Sequence, residues 1–243
     1  MKNRYLIVNA DDFGQSAGVN RGVVEAHERG VVTSTTLMVR WPAAADAAEY
    51  ARRRPRLGVG LHVDLGEWTY RDGEWGRLYQ VVDESDTKAV TEEVARQLEV
   101  FEGLVGRPPT HLDSHQHVHR TGPVSSIVRE AAQQRGIPVR EFSIPYCGSF
   151  YGQDEHGVSH PEWVSVEGFI AVLADLGPGI TELGCHPAAA DDLDTMYRSE
   201  RLIELATLCD PHVRKAITGS GFKLASFADC RSTAETEHHA SRQ

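Results

Sequence analysis

Short apolar runs alternate with amphipathic helical stretches along most of this 243-residue chain, and this alternation constrains the fold more than any other feature. Residues 5–8 (YLIV) start the series as a buried strand, and a helical pattern follows at residues 19–29. Repeated strand–helix units are typical of strands that pair in parallel. The chain is therefore predicted to be an α/β protein.

The rest of the chain continues this rhythm, with two interruptions. Further strands are predicted at residues 35–39, 57–63, 110–114, 138–142, 180–185 and 222–227. Further helices are predicted at an Ala-rich segment opened by Pro42 and at residues 89–105, 124–134, 202–208 and 213–218. Residues 66–86 and 146–163 are rich in Gly, Trp, Tyr and charge, and are predicted to be long functional loops.

The length suits one domain over residues 1–231, followed by a tail at residues 232–243. The tail has no large apolar residues and is predicted to be disordered.

The charge and hydropathy of the chain exclude several classes of partner. A net charge of −10 argues against nucleic acid or an anionic membrane surface, because both require a basic face. No run of about 18 apolar residues is present to span a membrane. The start of the chain lacks the apolar segment of a secretory signal, so a cytoplasmic location is expected. The four scattered cysteines are then expected to be free thiols.

Unusual polar residues follow four of the predicted strands. Asp11 and Asp12 come after the first strand, His62 near the end of the third, residues 111–119 at the fourth and His186 after the sixth. Because the carboxyl ends of parallel strands meet on one face, these groups are predicted to converge there.

The stretch NADDFG places Asp11 and Asp12 side by side at the mouth of an apolar strand. Adjacent carboxylates repel each other, and a bound cation or a shared proton relieves that repulsion. Adjacent side chains also point in different directions, so one can bind a metal while the other faces a water molecule. Alternatively, one aspartate caps the next helix and the other is solvated.

The stretch HLDSHQHVH contains His111, Asp113, His115, His117 and His119. Imidazole and carboxylate groups without nearby thiols suit Zn²⁺, Mn²⁺, Fe²⁺ or Co²⁺, and suit Mg²⁺ less well. All four histidines are not expected to bind one ion, so the surplus rings are expected to support the ligands or contact substrate. The alternative is a polar loop that caps the following helix.

Two isolated histidines are candidate site residues only if the fold places them beside these polar groups. His62 lies in an apolar strand (GLHVDL), and His186 precedes Pro187 (GCHPA), which biases its backbone towards extended conformations. His186 facing a metal would suit a general acid. For either residue alone, a histidine hydrogen-bonded in the core or at a strand end is the alternative.

Four aromatic residues in the first interruption can either stack on sugar rings, cover the edge of the core or form a subunit contact. They are Trp68, Tyr70, Trp75 and Tyr79.

Taken together, the motifs NADDFG, TSTTLMV, GLHVDL, PTHLDSHQHVH and GCHPA resemble the YdjC-like carbohydrate deacetylases, which include chitooligosaccharide deacetylases. The likeness runs from about residue 5 to residue 227. It implies a single-domain deformed (β/α) barrel that removes an N-acetyl group from an amino sugar or short oligosaccharide and releases acetate. It also implies one divalent metal ion, Mg²⁺ or Zn²⁺, or alternatively Mn²⁺, Co²⁺ or Fe²⁺. A homodimer is compatible with it.

The resemblance also implies roles for individual residues. Asp12, His62 and His115 correspond to the metal ligands, Asp11 to the general base and His186 to the general acid. The remaining members of the histidine-rich stretch then support the ligands or line the pocket: His111, Asp113, His117 and His119. Two alternatives stay open. One is a metal-dependent amide or ester hydrolase on a non-chitin substrate, such as a hopanoid-pathway glycolipid. The other is a non-catalytic metal-binding or sugar-binding barrel.

Overall fold

Strands and helices alternate along residues 3–229, the part of the chain that the computed structural model describes. The strands are β1 (Arg4–Phe13), β2 (Ser34–Leu37), β3 (Gly58–Val63), β4 (Gly66–Arg71), β5 (Glu74–Gln80), β6 (Leu112–Ser114), β7 (Tyr146–Cys147), β8 (Gly179–Cys185) and β9 (Phe222–Leu224). The helices are α1 (Ala17–Glu28), α2 (Ala44–Arg52), α3 (Thr87–Val105), α4 (Gly122–Arg135), α5 (Val166–Asp175), α6 (Ser199–Cys209) and α7 (Pro211–Gly219). Two short 3₁₀ segments span His115–Arg120 and Pro161–Val164.

The main sheet is parallel and has β1 at its centre. Its strand order within the described residues is β6-β3-β2-β1-β8-β7, and β9 lies beside the first half of β1. Residues 138–145 run between the two edges. Leu112 N donates to Pro138 O, and Glu182 N donates to Pro145 O. The sheet therefore curls into a half-barrel, and the carboxyl ends of its strands face one opening.

The predicted strand at residues 138–142 is wrong. This segment makes only isolated bridges, between Leu112 and Val139 and between Arg140 and Ile144. Glu141 has φ 65°, a left-handed conformation that ends any extended run. The segment still fills the gap in the barrel wall and carries Arg140 into the interior.

The first predicted loop is wrong for most of its length, because β4 and β5 form an antiparallel hairpin. Asp72 and Gly73 both have positive φ, as a tight type I′ turn requires. The second predicted loop, residues 146–163, contains little more than β7 and the start of a 3₁₀ turn. Pro42 lies just before α2 and outside its first turn. Helix α5 was not predicted.

Helix α3 illustrates how the predicted periodicity becomes packing. Asp86 caps its first turn by accepting hydrogen bonds from Lys88 N and Ala89 N, and Gly106 ends it in a left-handed conformation. Its predicted apolar stripe is buried in the main core: Val90, Val94, Leu98, Phe101 and Val105.

Among residues 3–229, no helix has both the length and the apolar character needed to cross a membrane. Cys147, Cys185 and Cys209 are unpaired. The fourth cysteine, Cys230, and the predicted tail at residues 232–243 lie outside the described residues.

Candidate active site

One extra residue in β1 places two adjacent aspartates at the same cavity. Ala10 pairs with Thr35 and Phe13 pairs with Leu37, so Asp11 and Asp12 together oppose Thr36 alone. This is a β-bulge, which re-aims side chains at the end of a strand. Asp12 has φ 65°, a conformation that costs a non-glycine residue about 1 kcal/mol or more. Both carboxylates line a cavity of about 330 Å³.

Asp12, His62 and His115 converge at the floor of this cavity, as predicted from their strand-end positions. Asp12 Oδ1 lies 3.3 Å from His62 Nε2 and 3.1 Å from His115 Nδ1. One ligand atom from each residue lies within 4.8 Å of the others, and all three residues are buried. Elements as distant in sequence as β1, β3 and the turn after β6 therefore build one cluster.

Groups on the two neighbouring strands fix the His62 ring through contacts with its Nδ1. Its Nδ1 lies 2.7 Å from Asp113 Oδ1 and 3.1 Å from Thr36 Oγ1. Its other nitrogen, Nε2, is buried and has no hydrogen-bond partner among the described residues. A carboxylate on one ring nitrogen and a free buried nitrogen on the other is the usual arrangement of a metal-binding histidine.

The charge balance of the site also favours a cation. Within the described part of the chain, buried carboxyl groups outnumber buried guanidinium groups at the cavity and directly behind it: Asp11, Asp12, Glu67, Asp113, Glu182 and Glu204, against Arg140 and Arg201. Burial lowers the pKa of His62, but the charge and hydrogen bond of Asp113, together with the nearby Asp12 and Asp11, outweigh it and raise that pKa to about 10. The site therefore stabilises positive charge at the point where the three candidate ligands meet.

The spacing of the candidate ligand atoms fits a bound ion. Atoms about 2.1 Å from one Zn²⁺ lie roughly 3.0–3.4 Å apart at octahedral or tetrahedral angles. The distances of 3.1 and 3.3 Å around Asp12 Oδ1 fall in that range. Asp12 thus lies at a distance from each histidine that a shared divalent cation would require.

Asp11 is held by Arg140, a fully buried residue that the sequence reasoning missed. Arg140 Nη1 and Nη2 donate to the two oxygens of Asp11, both at 2.7 Å. Arg140 Nη2 also lies 2.7 Å from Asp113 and from Glu182. Burial raises the pKa of Asp11, but Arg140 outweighs it and holds that pKa below its ordinary value. One guanidinium therefore fixes three carboxylates.

Glu182 differs from the other two carboxylates around Arg140. Burial raises its pKa to about 7, and the charge and hydrogen bond of Arg140 offset this only in part. Its second oxygen is buried without a hydrogen-bond partner in the described chain. Glu182 therefore holds a proton more tightly in the folded protein than in the unfolded chain.

Glu182→Gln is expected to change how stability depends on pH. In the wild type the folded state binds more protons than the unfolded state between the ordinary pKa and about 7, so stability falls as pH rises through that window. Glutamine does not titrate. The free energy of unfolding of the variant, relative to wild type, should therefore rise by about 3 kcal/mol between pH 4.5 and 8. Urea unfolding at several pH values measures this. Glu99→Gln, exposed on α3, is the surface control, and an equal pH profile for Glu182→Gln and wild type would contradict the expectation.

His186 follows β8 and lies across the cavity floor from the candidate ligands. Its Nε2 is 3.8 Å from Asp11 Oδ2, and its Nδ1 is 3.8 Å from Glu204 Oε1. Tyr151 and Tyr197 contact the ring edge to face. The backbone N–H of His186 donates to Glu204. The ring is thus fixed in place with one edge open to the cavity.

Helix α6 supplies two further site residues that the sequence reasoning missed. Arg201 Nη2 donates to Asp12 Oδ2 at 2.7 Å, and Tyr197 Oη donates to Glu204. Helix α6 buries Glu200, Arg201 and Glu204 while Leu202 is exposed. Charged residues at this helical spacing were the available signal.

The other histidines of the 111–119 stretch are divided between core and cavity. His111 stacks on Phe227 and contacts Asn9, and burial lowers its pKa to about 3. His119 is buried beside Ser114, and burial lowers its pKa to about 4. His117 lines the cavity, and burial lowers its pKa too. Neutral rings here act as packing and hydrogen-bonding groups.

The four aromatic residues of the hairpin have different surroundings. Trp75 is half-exposed and lines the cavity, with Tyr70 edge-on to it. Tyr79 packs against Trp41 and donates to Asp64. Trp68 is partly exposed beneath the guanidinium of Arg77. Of these four, Trp75 is positioned to contact a bound molecule.

The chain is similar to proteins of known sequence and structure over nearly its whole length. A family model described as YdjC-like protein matches residues 5–219. A chitooligosaccharide deacetylase from Serratia marcescens is 37% identical over an alignment of 266 positions, gaps included, that covers 93% of this chain and 99% of that protein.

Two solved structures share the fold. The first is a protein of Enterococcus faecalis V583 provisionally named a cellobiose-phosphate cleavage protein. It is 28% identical with a TM-score of 0.71, and the match covers 93% of this chain and 98% of that one. The second is a family 4 carbohydrate esterase from Streptomyces lividans in complex with acetate. It is 16% identical with a TM-score of 0.53, and covers 93% of each chain. Together with the curled parallel sheet, these likenesses confirm the predicted deformed (β/α) barrel.

Proposed function

Because the chain belongs to the YdjC-like protein family, we propose that it is a metal-dependent carbohydrate deacetylase that hydrolyses the N-acetyl group of an amino sugar or short oligosaccharide and releases acetate. One observation carries this proposal. Asp11, the Asp12–His62–His115 cluster and His186 line a single cavity, so a base, a cation site and an acid can reach one amide bond.

Asp12, His62 and His115 would hold the cation. A divalent ion there would supply Lewis-acid polarisation of the acetyl carbonyl and would lower the pKa of a water molecule. Two imidazoles and one carboxylate suit Zn²⁺, Mn²⁺, Fe²⁺ or Co²⁺, and Mg²⁺ is the remaining candidate. Arg201 orients Asp12 by occupying its second oxygen, which leaves Oδ1 for the ion.

Asp11 is proposed to take a proton from the attacking water. Arg140 keeps this carboxylate ionised and fixes its orientation. A carboxylate with a lowered pKa is a weak base, so its action depends on a water molecule that is itself acidified.

His186 is proposed to protonate the amine as it leaves. Its backbone and ring are held by Glu204, Tyr151 and Tyr197, and the ring reaches the cavity beside Asp11. An imidazole can carry and release a proton near neutral pH, as this step requires.

The cavity supports a small carbohydrate as substrate. Its volume of about 330 Å³ lies at the lower end of the range for ligand pockets. Trp75 at its rim offers an aromatic face, and most other lining groups are polar or aromatic. The Serratia marcescens relative is named for chitooligosaccharides, which makes short N-acetylglucosamine oligomers the first substrates to test.

Acetate release from a panel of N-acetylated sugars tests the function. The metal-stripped chain is assayed after addition of Zn²⁺, Mn²⁺, Co²⁺, Fe²⁺ or Mg²⁺. Release from an N-acetylglucosamine oligomer that requires one of these ions is expected. Release only from a glycolipid or another amide would favour the non-chitin hydrolase. Full metal binding without release from any compound would favour a non-catalytic barrel.

His62→Ala and His115→Ala are each expected to weaken divalent metal binding by more than about 100-fold, since loss of an outer partner alone costs 10–100-fold. Titration calorimetry on the metal-stripped protein measures the affinity, and elemental analysis measures the stoichiometry. His212→Ala, exposed on α7, is the matched control. Unchanged metal affinity in either site variant would remove that histidine from the ligand set.

A further inference from the structure

The hairpin of β4 and β5 reaches the candidate metal centre through Glu67. This residue is only 2% exposed, although much of the hairpin is accessible to solvent. Its Oε2 lies 3.3 Å from His115 Nε2, a close contact that lacks hydrogen-bond geometry, and its Oε1 accepts a hydrogen bond from Thr195 Oγ1 at 2.6 Å. A buried carboxylate needs such partners, and here one partner is a candidate metal ligand.

A second contact ties the same part of the hairpin to the residue after His115. The side-chain amide of Gln116 accepts from Trp68 N and donates to Trp68 O, both at 2.8 Å. Gln116 has φ 50°. The paired hydrogen bonds offset the strain of that conformation and fix the position of His115 relative to Glu67.

The two candidate histidine ligands turn opposite nitrogens towards Asp12. For His62, Asp113 occupies Nδ1, and Nε2 faces Asp12. For His115, Glu67 faces Nε2, and Nδ1 lies 3.1 Å from Asp12 Oδ1. A carboxylate on the outer nitrogen sets which nitrogen is free to bind a metal.

We propose that Glu67 is a positioning residue of the metal centre: with an ion bound at Nδ1 of His115, the ring proton would lie on Nε2, where the adjacent Glu67 carboxylate would accept it and fix Nδ1 as the ligand atom. This inference rests on the proposed function, in which Asp12, His62 and His115 hold a divalent ion. It gives the hairpin a role beyond covering the cavity. The metal site is completed by a segment outside the barrel strands.

Zinc binding to the metal-stripped full-length chain tests the proposal. Glu67→Ala removes the acceptor and is expected to weaken Zn²⁺ binding by about 10–100-fold in titration calorimetry. Glu67→Gln keeps an acceptor oxygen and is expected to retain most of the affinity. Thr195→Val removes the support of Glu67 and is expected to give a smaller loss than Glu67→Ala. Glu74→Gln, exposed in the same hairpin, is the matched control.

Long-range ¹H–¹⁵N correlation spectra of the zinc-loaded chain read the tautomer directly. The wild type is expected to show His115 coordinated through Nδ1 and protonated on Nε2, and Glu67→Ala to lose that single form. Coordination through Nε2 in the wild type, or equal affinity in Glu67→Ala, would overturn the inference and leave the proposed function intact. A loss in Glu67→Gln as large as in Glu67→Ala would make Glu67 a ligand instead. A wild-type chain that binds no metal would overturn both proposals.

Discussion

Asp11→Asn is expected to lower kcat for acetate release by about 10²- to 10⁴-fold while the chain keeps its metal affinity. The amide has the shape of the carboxylate and can still accept a hydrogen bond from Arg140, but it cannot take a proton from water. Asp12, His62 and His115 are untouched, so the cation site remains. Steady-state kinetics and zinc titration on the same preparation separate the two properties.

The matched control for this prediction is Asp175→Asn, an exposed aspartate at the end of α5. It should leave both kcat and metal affinity unchanged. Near-normal turnover in Asp11→Asn would show that another group takes the proton. Loss of metal together with turnover would instead place Asp11 in the ion site.

The barrel and the convergence of the polar strand ends were predictable because they depend on local pattern. Buried parallel strands are short apolar runs, and β1, β3 and β8 stand out as such. Because these strands are parallel, the polar residues at their carboxyl ends lie at the same opening of the barrel. The resemblance to a family added what pattern lacks, namely which of the clustered histidines stands beside Asp12.

The residues that hold this site together were not predictable in the same way. Arg140 pairs with Asp11 across 129 positions, and Arg201 pairs with Asp12 across 189. The residues that neighbour each member in sequence do not indicate a partner so far along the chain. Glu182 was a partial signal, because a lone acid within a buried strand needs either a buried cation or a bound proton.

The hairpin was missed for a different reason. Its residues alternate poorly between apolar and polar, because only its base is buried, where Glu67 and Thr69 face inward. The Asp72–Gly73 pair was nonetheless a turn signal between two aromatic segments. In such a segment, a turn motif is a better indicator of a hairpin than amino-acid composition.

Arg140→Met is expected to lower the free energy of unfolding by about 3–5 kcal/mol at neutral pH, because it leaves buried carboxylates without their cation. Asp11, Asp113 and Glu182 all contact the guanidinium that the substitution removes. Arg135→Met on α4 is the control, since its partly exposed pair with Glu102 should contribute no more than about 1 kcal/mol. Urea unfolding measures both.

The effect of Arg140→Met should depend on pH with a definite sign. The ion pair lowers the pKa of Asp11 and of Asp113, so it contributes stability that is present above their ordinary pKa and is lost as pH falls. The difference between variant and wild type should therefore be largest near pH 7 and shrink as pH falls, because without the guanidinium burial raises the pKa of these carboxylates and they take up protons.

Two further variants test whether the stability lost in Arg140→Met comes from the removed guanidinium. Arg140→Lys retains the charge but not the forked donor geometry, so a smaller loss of unfolding free energy than for Arg140→Met is expected. This variant can still be measured if Arg140→Met does not fold. Adding Glu182→Met to Arg140→Met removes one of the stranded carboxylates and should recover part of the lost stability. A loss below about 1 kcal/mol for Arg140→Met would mean that water, and not the guanidinium, stabilises these acids.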